Sequence, residues 1–239
     1  MNLIKVDATN STSTLIASLF RSGAIEIPSA LYTIDQTGGR GRLERNWNSE
    51  PGKNLTKSYV LPDFGSSPKA VFRAMWQITW SVIEILEAAG ITDLSVKWPN
   101  DIMAGDRKIA GILIERSLRQ GKSSFVIVGI GLNVNQVRFK DEYKATSMGE
   151  LTQKVFEIDP LAYRLSDSIT NLLLQDQVIT IDQFQSKLYG INRTHRWQLG
   201  DKVVEATLLG MTEDGSALLH SSKGKSLKFT SEEIRMLRV

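Results

Sequence analysis

Apolar residues recur at every third or fourth position in several long stretches of the chain, which is the spacing of one buried helix face. Residues that favour helix starts, such as Thr, Asn and an Asp-Pro pair, precede these stretches, and glycine favours their ends. The predicted helices run from Thr9 or Asn10 to Gly23, over residues 68–89, from Asp159-Pro160 onward, and up to an end near Tyr189-Gly190.

Shorter apolar runs bounded by Gly, Pro, Asn and Asp predict strands. These runs are residues 31–34, 55–61, 94–98, 108–115 and 125–134. From Trp197 the pattern changes to short strands broken by hairpin signals such as Glu213-Asp214-Gly215, which is typical of a small five-stranded barrel. The sequence therefore predicts an α+β fold, with a mixed β-sheet flanked by helices in residues 1–191 and a small SH3-like β-barrel domain in residues 192–239.

The composition then limits the chemistry. The 239 residues exceed a typical domain of about 150 residues, and 41% hydrophobic with 23% charged residues is ordinary for a soluble globular protein. The chain has no cysteine and only two histidines, His195 and His220. These counts exclude disulfides, thiolate metal sites and cysteine nucleophiles, and they disfavour a Ser-His-acid triad or a multi-histidine metal site. Any catalysis must therefore depend on Lys, Arg, carboxylates and backbone amides.

The formal net charge is +3 and the pI is about 9.0, which suits an anionic substrate without requiring nucleic acid. Most of the excess positive charge lies after Gln36, in a segment rich in Gly and Asn. This segment predicts an electropositive loop. The segment contains Arg40, Arg42, Arg45, Lys53 and Lys57 against Glu44 and Glu50. The N-terminus lacks the layout of a signal peptide, and no apolar run approaches the roughly 20 residues that span a bilayer, so we expect a cytoplasmic protein without membrane association.

The first candidate motif is Gly38-Gly39-Arg40-Gly41-Arg42, which lies between two predicted strands and is followed by Arg45 and Trp47. Glycines allow the backbone to approach a ligand closely, and guanidinium groups match the geometry of phosphate oxygens. Trp47 could stack on a base or pack beneath the loop. The alternative interpretation is a flexible basic hairpin, or an Arg-Gly segment that contacts RNA.

The second candidate motif is Lys97-Trp98-Pro99-Asn100-Asp101, at the exit of a predicted strand, where ligand-binding groups are common. Lys108 follows at the mouth of the next strand, and two strands joined by a short turn would bring Asp101 and Lys108 to the same edge. The alternative is an Asx turn with a surface salt bridge, worth only about 0–1 kcal/mol.

The third candidate motif is Gly129-Ile130-Gly131-Leu132-Asn133-Val134-Asn135. Two glycines within a buried strand indicate a bulge or a group pressed against the backbone. Asn133 and Asn135 alternate with apolar residues and could hydrogen-bond to a purine edge.

Together with Asp7-Ala8-Thr9-Asn10, these motifs resemble, in this order, the catalytic domain of the biotin protein ligases, also called biotin–[acetyl-CoA-carboxylase] ligases. The resemblance extends from about Asp7 to Met148 and includes Gln36-Thr37 and Gly111. It implies a fold like that of class II synthetases and a two-step reaction. The carboxylate of biotin attacks the α-phosphate of ATP to give biotinyl-5′-AMP, and a lysine of a biotin carboxyl carrier protein then takes the biotinyl group.

The resemblance also implies roles for individual residues. The implied catalytic residues are Lys108, Arg42 and Asp101. The implied biotin-binding residues are Ala8, Thr9, Asn10, Gln36, Gly39, Arg40, Gly41, Arg42, Lys108 and Gly111. The implied ATP-binding residues are Arg40, Arg42, Arg45, Trp47, Asn100, Lys108 and Asn133. Mg²⁺ is expected to arrive with ATP, without a dedicated protein site.

Two positions depart from the family pattern. Ala8 stands where serine is usual, which removes one hydrogen bond to biotin or leaves it to Ser11, and Glu44 stands where glycine is frequent. The first motif begins close to Met1, so we expect neither a helix-turn-helix domain nor binding to DNA. Homodimers that pair at a sheet edge are compatible with the resemblance.

Two other functions stay open at this point. Lipoate ligases and octanoyl transferases share the architecture, although the Gly-Arg-Gly-Arg and Lys-Trp-Pro-Asn-Asp motifs favour biotin. A non-enzymatic RNA-binding or regulatory module would use the Arg-Gly loop and the small barrel, and the scarcity of stacking aromatic residues in the barrel argues against it.

Overall fold

The chain folds around a seven-stranded mixed β-sheet, and a five-stranded antiparallel sheet follows it. The computed structural model describes residues 1–42, 45–65, 67–119, 122–174, 179–221 and 224–237. In chain order the strands are β1 (Asn2–Lys5), β2 (Ser29–Thr33), β3 (Gly39–Arg40), β4 (Asn46–Trp47), β5 (Leu55–Leu61), β6 (Leu94–Lys97), β7 (Asp101–Ala104), β8 (Arg107–Arg119), β9 (Lys122–Leu132), β10 (Thr194–Leu199), β11 (Lys202–Met211), β12 (Ala217–Ser221), β13 (Ser226–Phe229) and β14 (Ile234–Met236). The helices are α1 (Thr12–Arg21), α2 (Pro68–Ala88), α3 (Met148–Thr152), α4 (Ile158–Leu174) and α5 (Ile181–Ser186). Within these described ranges, no helix combines the length and the apolar character needed to cross a membrane.

The larger sheet has the strand order β1-β2-β5-β9-β8-β7-β6, in which β1 and β2 pair in parallel and the other neighbours are antiparallel. Helix α1 covers one face, where Ile16, Leu31 and Val60 form one hydrophobic cluster. Helices α2 and α4 cover the opposite face, and the alternate residues Tyr32 and Tyr59 of the same strands belong to the core on that side. The predicted mixed sheet flanked by helices is confirmed.

The smaller sheet has the strand order β13-β12-β11-β10-β14. Its buried residues Trp197 and Met211 belong to the same hydrophobic cluster as Trp98, which follows β6. The Trp98 indole N–H donates to the backbone oxygen of Gly215 at 2.9 Å, and its ring packs edge-on against Trp197 with the ring centroids 6.1 Å apart. The predicted C-terminal β-structure is confirmed, whereas its closure into an SH3-like barrel and the domain boundary at residue 191 stay predictions.

Several element boundaries confirm or correct the sequence pattern. β5 has the predicted range, and α2 ends one residue before the predicted end, at Ala88. The helix start predicted at Thr9 or Asn10 is wrong, because Ser11 caps α1 and its Oγ accepts a hydrogen bond from the backbone N–H of Thr14. The pattern did not predict β1, β3, β4, β7 or α3, all of which have five residues or fewer.

Candidate active site

A cavity of about 760 Å³ lies over the larger sheet beside the N-terminus of α1. Its walls come from that helix start, from β5, β8 and β9, and from the β3–β4 hairpin. The smaller sheet completes the wall with Ser231 and residues 234–237. Small-molecule sites usually have volumes of about 300–1,000 Å³, so the cavity has the size of a ligand-binding site.

A group of hydrogen-bonded polar residues in the cavity lining, here called the hydroxyl wall, consists of Thr12, Ser13, Gln36 and Ser58. Gln36 Oε1 accepts hydrogen bonds from the backbone N–H of Thr12 at 2.8 Å and from its hydroxyl at 3.0 Å. The Ser58 hydroxyl lies 2.8 Å from Thr12 Oγ1 and 2.9 Å from Ser13 Oγ. Such a wall offers donors and acceptors to an uncharged polar group.

The cavity is also lined by a group of cations, here called the cationic wall, which consists of Arg40, Arg42, Arg45 and Lys108. Burial lowers the pKa of the Arg42 guanidinium, and the nearby carboxylates of Glu232 and Asp101 oppose that shift. The backbone N–H of Gly41 donates to the carbonyl oxygen of Arg45 at 2.6 Å, which closes the hairpin around these arginines. Several cations on one wall favour the binding of an anion such as phosphate or carboxylate.

Lys108 and Asp101 form an ion pair in the cationic wall, with 2.6 Å between Lys108 Nζ and Asp101 Oδ1. In a regular strand, residues three apart point to opposite faces, so Lys108 and Gly111 would not lie on the same face. A bulge in β8 intervenes, because Ile102 pairs with Ala110 while Met103 pairs with Lys108. The extra residue turns Lys108 towards Gly111, which pairs with Asp101. The predicted proximity of Asp101 and Lys108 is confirmed, and the bulge explains it.

The indole of Trp47 forms part of the cavity wall beneath Lys108, with 5.2 Å between Lys108 Nζ and the ring centroid. It packs directly on the backbone of β9, because a Cβ at Gly131 would lie 2.3 Å from Trp47 Cε2. A Cβ at Gly39 would lie 2.5 Å from the Trp47 carbonyl oxygen. Gly131 therefore allows the close approach predicted for the third motif, and Gly39 allows a close approach within the β3–β4 hairpin.

The structure brings most of the predicted site residues together. The residues that line the cavity are Gln36, Arg40, Gly41, Arg42, Arg45, Trp47, Asn100, Asp101, Lys108, Gly111 and Asn133. The predicted residues that do not line it are Ala8, Thr9, Asn10 and Gly39. Glu44 lies outside the described residues.

The segment Ser11-Thr12-Ser13 occupies the place that the sequence pattern gave to Ala8, Thr9 and Asn10. Backbone hydrogen bonds hold residues 9–10 against residues 35–38, which keeps them extended before the helix begins. Both segments contain small polar residues suited to a helix start, so the pattern alone did not separate them. The alternation of side chains along β5 places Ser58 on the face opposite to Leu55, Tyr59 and Leu61, a signal that could have found this residue.

The side chains of Asn100 and Asn133 stabilise the cavity wall by hydrogen bonds to the backbone. Asn100 Nδ2 donates to the carbonyl oxygen of Ile112 at 2.6 Å, and Asn133 Nδ2 donates to that of Thr146 at 2.9 Å. Their amide nitrogens therefore hold β8 and the segment after β9 in position.

Lys57 does not belong to the predicted electropositive loop. Its side chain is fully buried under α4, and its Nζ donates to the carbonyl oxygen of Ala162 and to the Ser166 hydroxyl. This part of the loop prediction is wrong, because Lys57 lies in β5 on the face that α4 covers.

Known proteins resemble the chain in sequence. The model of the Biotin/lipoate A/B protein ligase family matches residues 6–133, which is more than half of the chain. The bifunctional ligase/repressor BirA of Bacillus subtilis is 32% identical over 239 residues, covering 93% of this chain and 70% of the relative. A biotin–[acetyl-CoA-carboxylase] ligase of Mycobacterium tuberculosis is 28% identical over 173 residues, covering 71% of this chain and 63% of the relative.

A solved structure resembles the whole chain. It is that of the biotin protein ligase from Aquifex aeolicus in complex with biotin and ATP, with a TM-score of 0.79 and 28% identity. The similarity covers 100% of this chain and 99% of that chain. The fold and the cavity thus place the protein among the protein ligases. The chain belongs to the Biotin/lipoate A/B protein ligase family.

Proposed function

We propose that this chain catalyses the ATP-dependent attachment of biotin to a lysine of a biotin carboxyl carrier protein, such as a subunit of acetyl-CoA carboxylase. The observation that carries this proposal is that the hydroxyl wall and the cationic wall face one cavity. The hydroxyl wall suits the uncharged ureido ring of biotin, which needs donors and acceptors, and the cationic wall suits its carboxylate and the phosphates of ATP. Relatives named as biotin ligases, and a similar structure that contains biotin and ATP, support this proposal.

In the first step, a carboxylate oxygen of biotin attacks the α-phosphorus of ATP, pyrophosphate leaves, and biotinyl-5′-AMP forms. Both reactants are anions, so catalysis consists mainly of charge neutralisation and in-line alignment. Lys108 neutralises the carboxylate and the α-phosphate, and Asp101 holds its ammonium group in position. Arg40, Arg42 and Arg45 bind the remaining phosphate charge.

In the second step, the amine of the carrier lysine attacks the acyl carbon, AMP leaves, and the amide forms with release of a proton. The acyl-adenylate is prone to hydrolysis before the carrier arrives. The Trp47 indole and the β3–β4 hairpin border the cavity, and their cover limits the access of water.

Mg²⁺ enters this proposal with ATP. Among the residues that the structure describes, no group of three or more His, Asp or Glu is arranged to hold a metal ion, and the Asp101 carboxylate is paired with Lys108. In this proposal phosphate oxygens would supply most of the Mg²⁺ ligands, and the ion would neutralise charge on the leaving pyrophosphate.

The residues that we propose to contact biotin differ from those that the sequence predicted. We assign ureido contacts to the hydroxyl wall and its neighbour Ser11 in place of Ala8, Thr9 and Asn10. Residues 9–10 and Gly39 then act indirectly, through the hydrogen bonds and close contacts that hold the hairpin.

Incubation with biotin, Mg-ATP and a carrier domain tests this function directly. We expect mass spectrometry to show one biotinyl group on one carrier lysine, and no product when that lysine is replaced by arginine. Release of AMP and pyrophosphate in equal amounts is expected to accompany the product.

Parallel reactions with lipoate or octanoate, and a gel-shift assay with RNA, distinguish the alternatives. A carrier modified by lipoate or octanoate but not by biotin would contradict the proposal in favour of a lipoate-type ligase. No modification by any acid, with RNA binding that weakens steeply with salt, would favour the non-enzymatic module.

Gly131→Ala is expected to reduce biotin affinity by about 10-fold or more, because overpacking forces a neighbour to move. The new Cβ would lie 2.3–2.7 Å from three atoms of the Trp47 indole, which would be displaced into the cavity. Isothermal titration with biotin checks this prediction. In a Trp47→Ala background the collision partner is absent, so adding Gly131→Ala should then have little further effect. An equal loss in both backgrounds would show that Trp47 is not the cause.

Three sequence predictions about partners and location stay predictions. They are the sheet-edge homodimer, the absence of DNA binding and the cytoplasmic location. Sedimentation of the purified chain with and without biotin and ATP tests the first of them.

A further inference from the structure

The turn between β13 and β14 reaches the cationic wall of the cavity through Ser231. Arg42 Nη2 donates to the Ser231 hydroxyl at 2.6 Å and to the Ser231 carbonyl oxygen at 3.2 Å, although 189 residues separate the two. The first distance is that of a good charge-assisted hydrogen bond. The smaller sheet thus contacts a guanidinium that the proposed function places on phosphate.

Hydrogen bonds within this turn define its shape. Glu233 Oε2 accepts hydrogen bonds from the backbone N–H of Thr230 at 2.7 Å and from its hydroxyl at 2.9 Å. The backbone N–H groups of Glu233 and Ile234 in turn donate to the carbonyl oxygen of Thr230. Ser231 is therefore enclosed in a hydrogen-bonded turn, and the buried Ile234 anchors the turn to the core.

The smaller sheet that carries this turn is itself joined firmly to the rest of the chain. Trp98, which follows β6, packs against Trp197 and donates to Gly215. The Gln185 side chain of α5 accepts a hydrogen bond from the backbone N–H of Met211 at 2.9 Å. Because these contacts join the smaller sheet to the segment after β6 and to α5, the turn is a support for the β3–β4 hairpin.

A guanidinium has five N–H donors, and both contacts with Ser231 use a single nitrogen of Arg42. Ser231 can therefore orient the group through one nitrogen, without engaging the whole guanidinium. We propose that Ser231 is a positioning residue that holds the Arg42 guanidinium at the cavity. This inference rests on the proposed function for the role of Arg42 and adds a structural partner for it.

Ser231→Ala tests the proposal by kinetics. We expect the KM for ATP in biotin-dependent ATP–pyrophosphate exchange to rise about 10-fold, since a hydrogen bond to a charged group is lost, with a smaller change in the KM for biotin. Ser231→Thr keeps the hydroxyl and should restore most of the affinity for ATP. Ser226→Ala is the matched control: it removes a serine hydroxyl from the same sheet, at a site bonded to His220 rather than to the cavity, and should leave both constants unchanged.

A double-mutant cycle with Arg42→Ala separates positioning from a general effect on folding. If Ser231 acts through Arg42, Ser231→Ala should have little effect on the residual exchange of the Arg42→Ala variant. An unchanged KM for ATP in Ser231→Ala, or an equal loss in both backgrounds, would overturn the proposal.

Limited trypsin digestion provides a readout that does not depend on the reaction. Cleavage after Arg42 or Arg45 should be faster in Ser231→Ala than in the unmodified chain and in Ser226→Ala. If the unmodified chain shows no exchange, the proposed function fails, while faster cleavage in Ser231→Ala still supports the contact with Arg42. Equal cleavage rates in all three proteins would overturn the positioning role.

Discussion

Lys108→Ala is expected to lower biotin-dependent ATP–pyrophosphate exchange by about 10²-fold or more, the usual effect of removing a preorganised charge-stabilising group. In the proposed mechanism the ammonium group, paired with Asp101 in the cavity wall, lies where the carboxylate of biotin and the α-phosphate of ATP meet. The loss should appear mainly in kcat, because the charge that Lys108 neutralises grows as the new bond to phosphorus forms.

The fold should tolerate this substitution. The side chains of Lys108 and Asp101 are 21% and 24% exposed, and partly exposed ion pairs contribute only about 0–1 kcal/mol to stability. The thermal midpoint measured by circular dichroism should therefore change little. Lys53→Ala is the matched control. It also removes a lysine side chain, but Lys53 is exposed and does not line the cavity. Wild-type exchange in Lys108→Ala would remove Lys108 from the proposed mechanism.

Much of the fold could be predicted because its signals are local. β5 is a seven-residue strand buried throughout, and α2 is a 21-residue amphipathic helix with serine before it and glycine after it, so each carries its pattern within its own sequence. Short elements such as β7 lack that advantage. Its first residue, Asp101, also completes the Pro-Asn-Asp turn signal, which hid the start of the strand.

The rest of the site depends on contacts between segments that are distant in the sequence. The hydrophobic pattern does not predict such contacts. Ser11 rather than Asn10 caps α1 because the preceding backbone pairs with residues 35–38. Lys108 faces Gly111 because of a bulge that the strand pattern does not reveal. Ser231 meets Arg42 because the smaller sheet packs beside Trp98, and the burial of Lys57 depends on where α4 lies.

Lys57→Met is expected to stabilise the protein at neutral and lower pH. Lys57 is fully buried, its Nζ contacts neutral oxygens of α4, and burial lowers its pKa from 10.5 to about 7. Each pKa unit corresponds to about 1.4 kcal/mol, so the charged lysine destabilises the folded state by on the order of 4–5 kcal/mol before relaxation of the surroundings reduces that cost. Methionine has similar length and carries no charge.

The effect should depend on pH with a defined sign. In the unfolded chain Lys57 keeps its ordinary pKa of about 10.5, so between about pH 7 and pH 10.5 the unfolded state binds a proton that the folded state lacks. The free energy of unfolding contributed by this group therefore rises with pH across that window and is constant below it. Tyr59, whose ring centroid lies 5.0 Å from Lys57 Nζ, has a pKa raised well above 10.0 by burial and stays neutral there.

Urea unfolding of both proteins from about pH 6 to about pH 10 measures this dependence. The stability advantage of Lys57→Met over the unmodified chain should be largest and constant below about pH 7 and should decrease from there towards pH 10. Other titrating groups cancel in this difference. Lys53→Met, which replaces an exposed lysine, should differ from the unmodified chain by a small amount that does not change with pH. A constant advantage of Lys57→Met across the range would mean that Lys57 stays charged in the folded protein, and that the carbonyl of Ala162 and the Ser166 hydroxyl solvate its ammonium as well as water does.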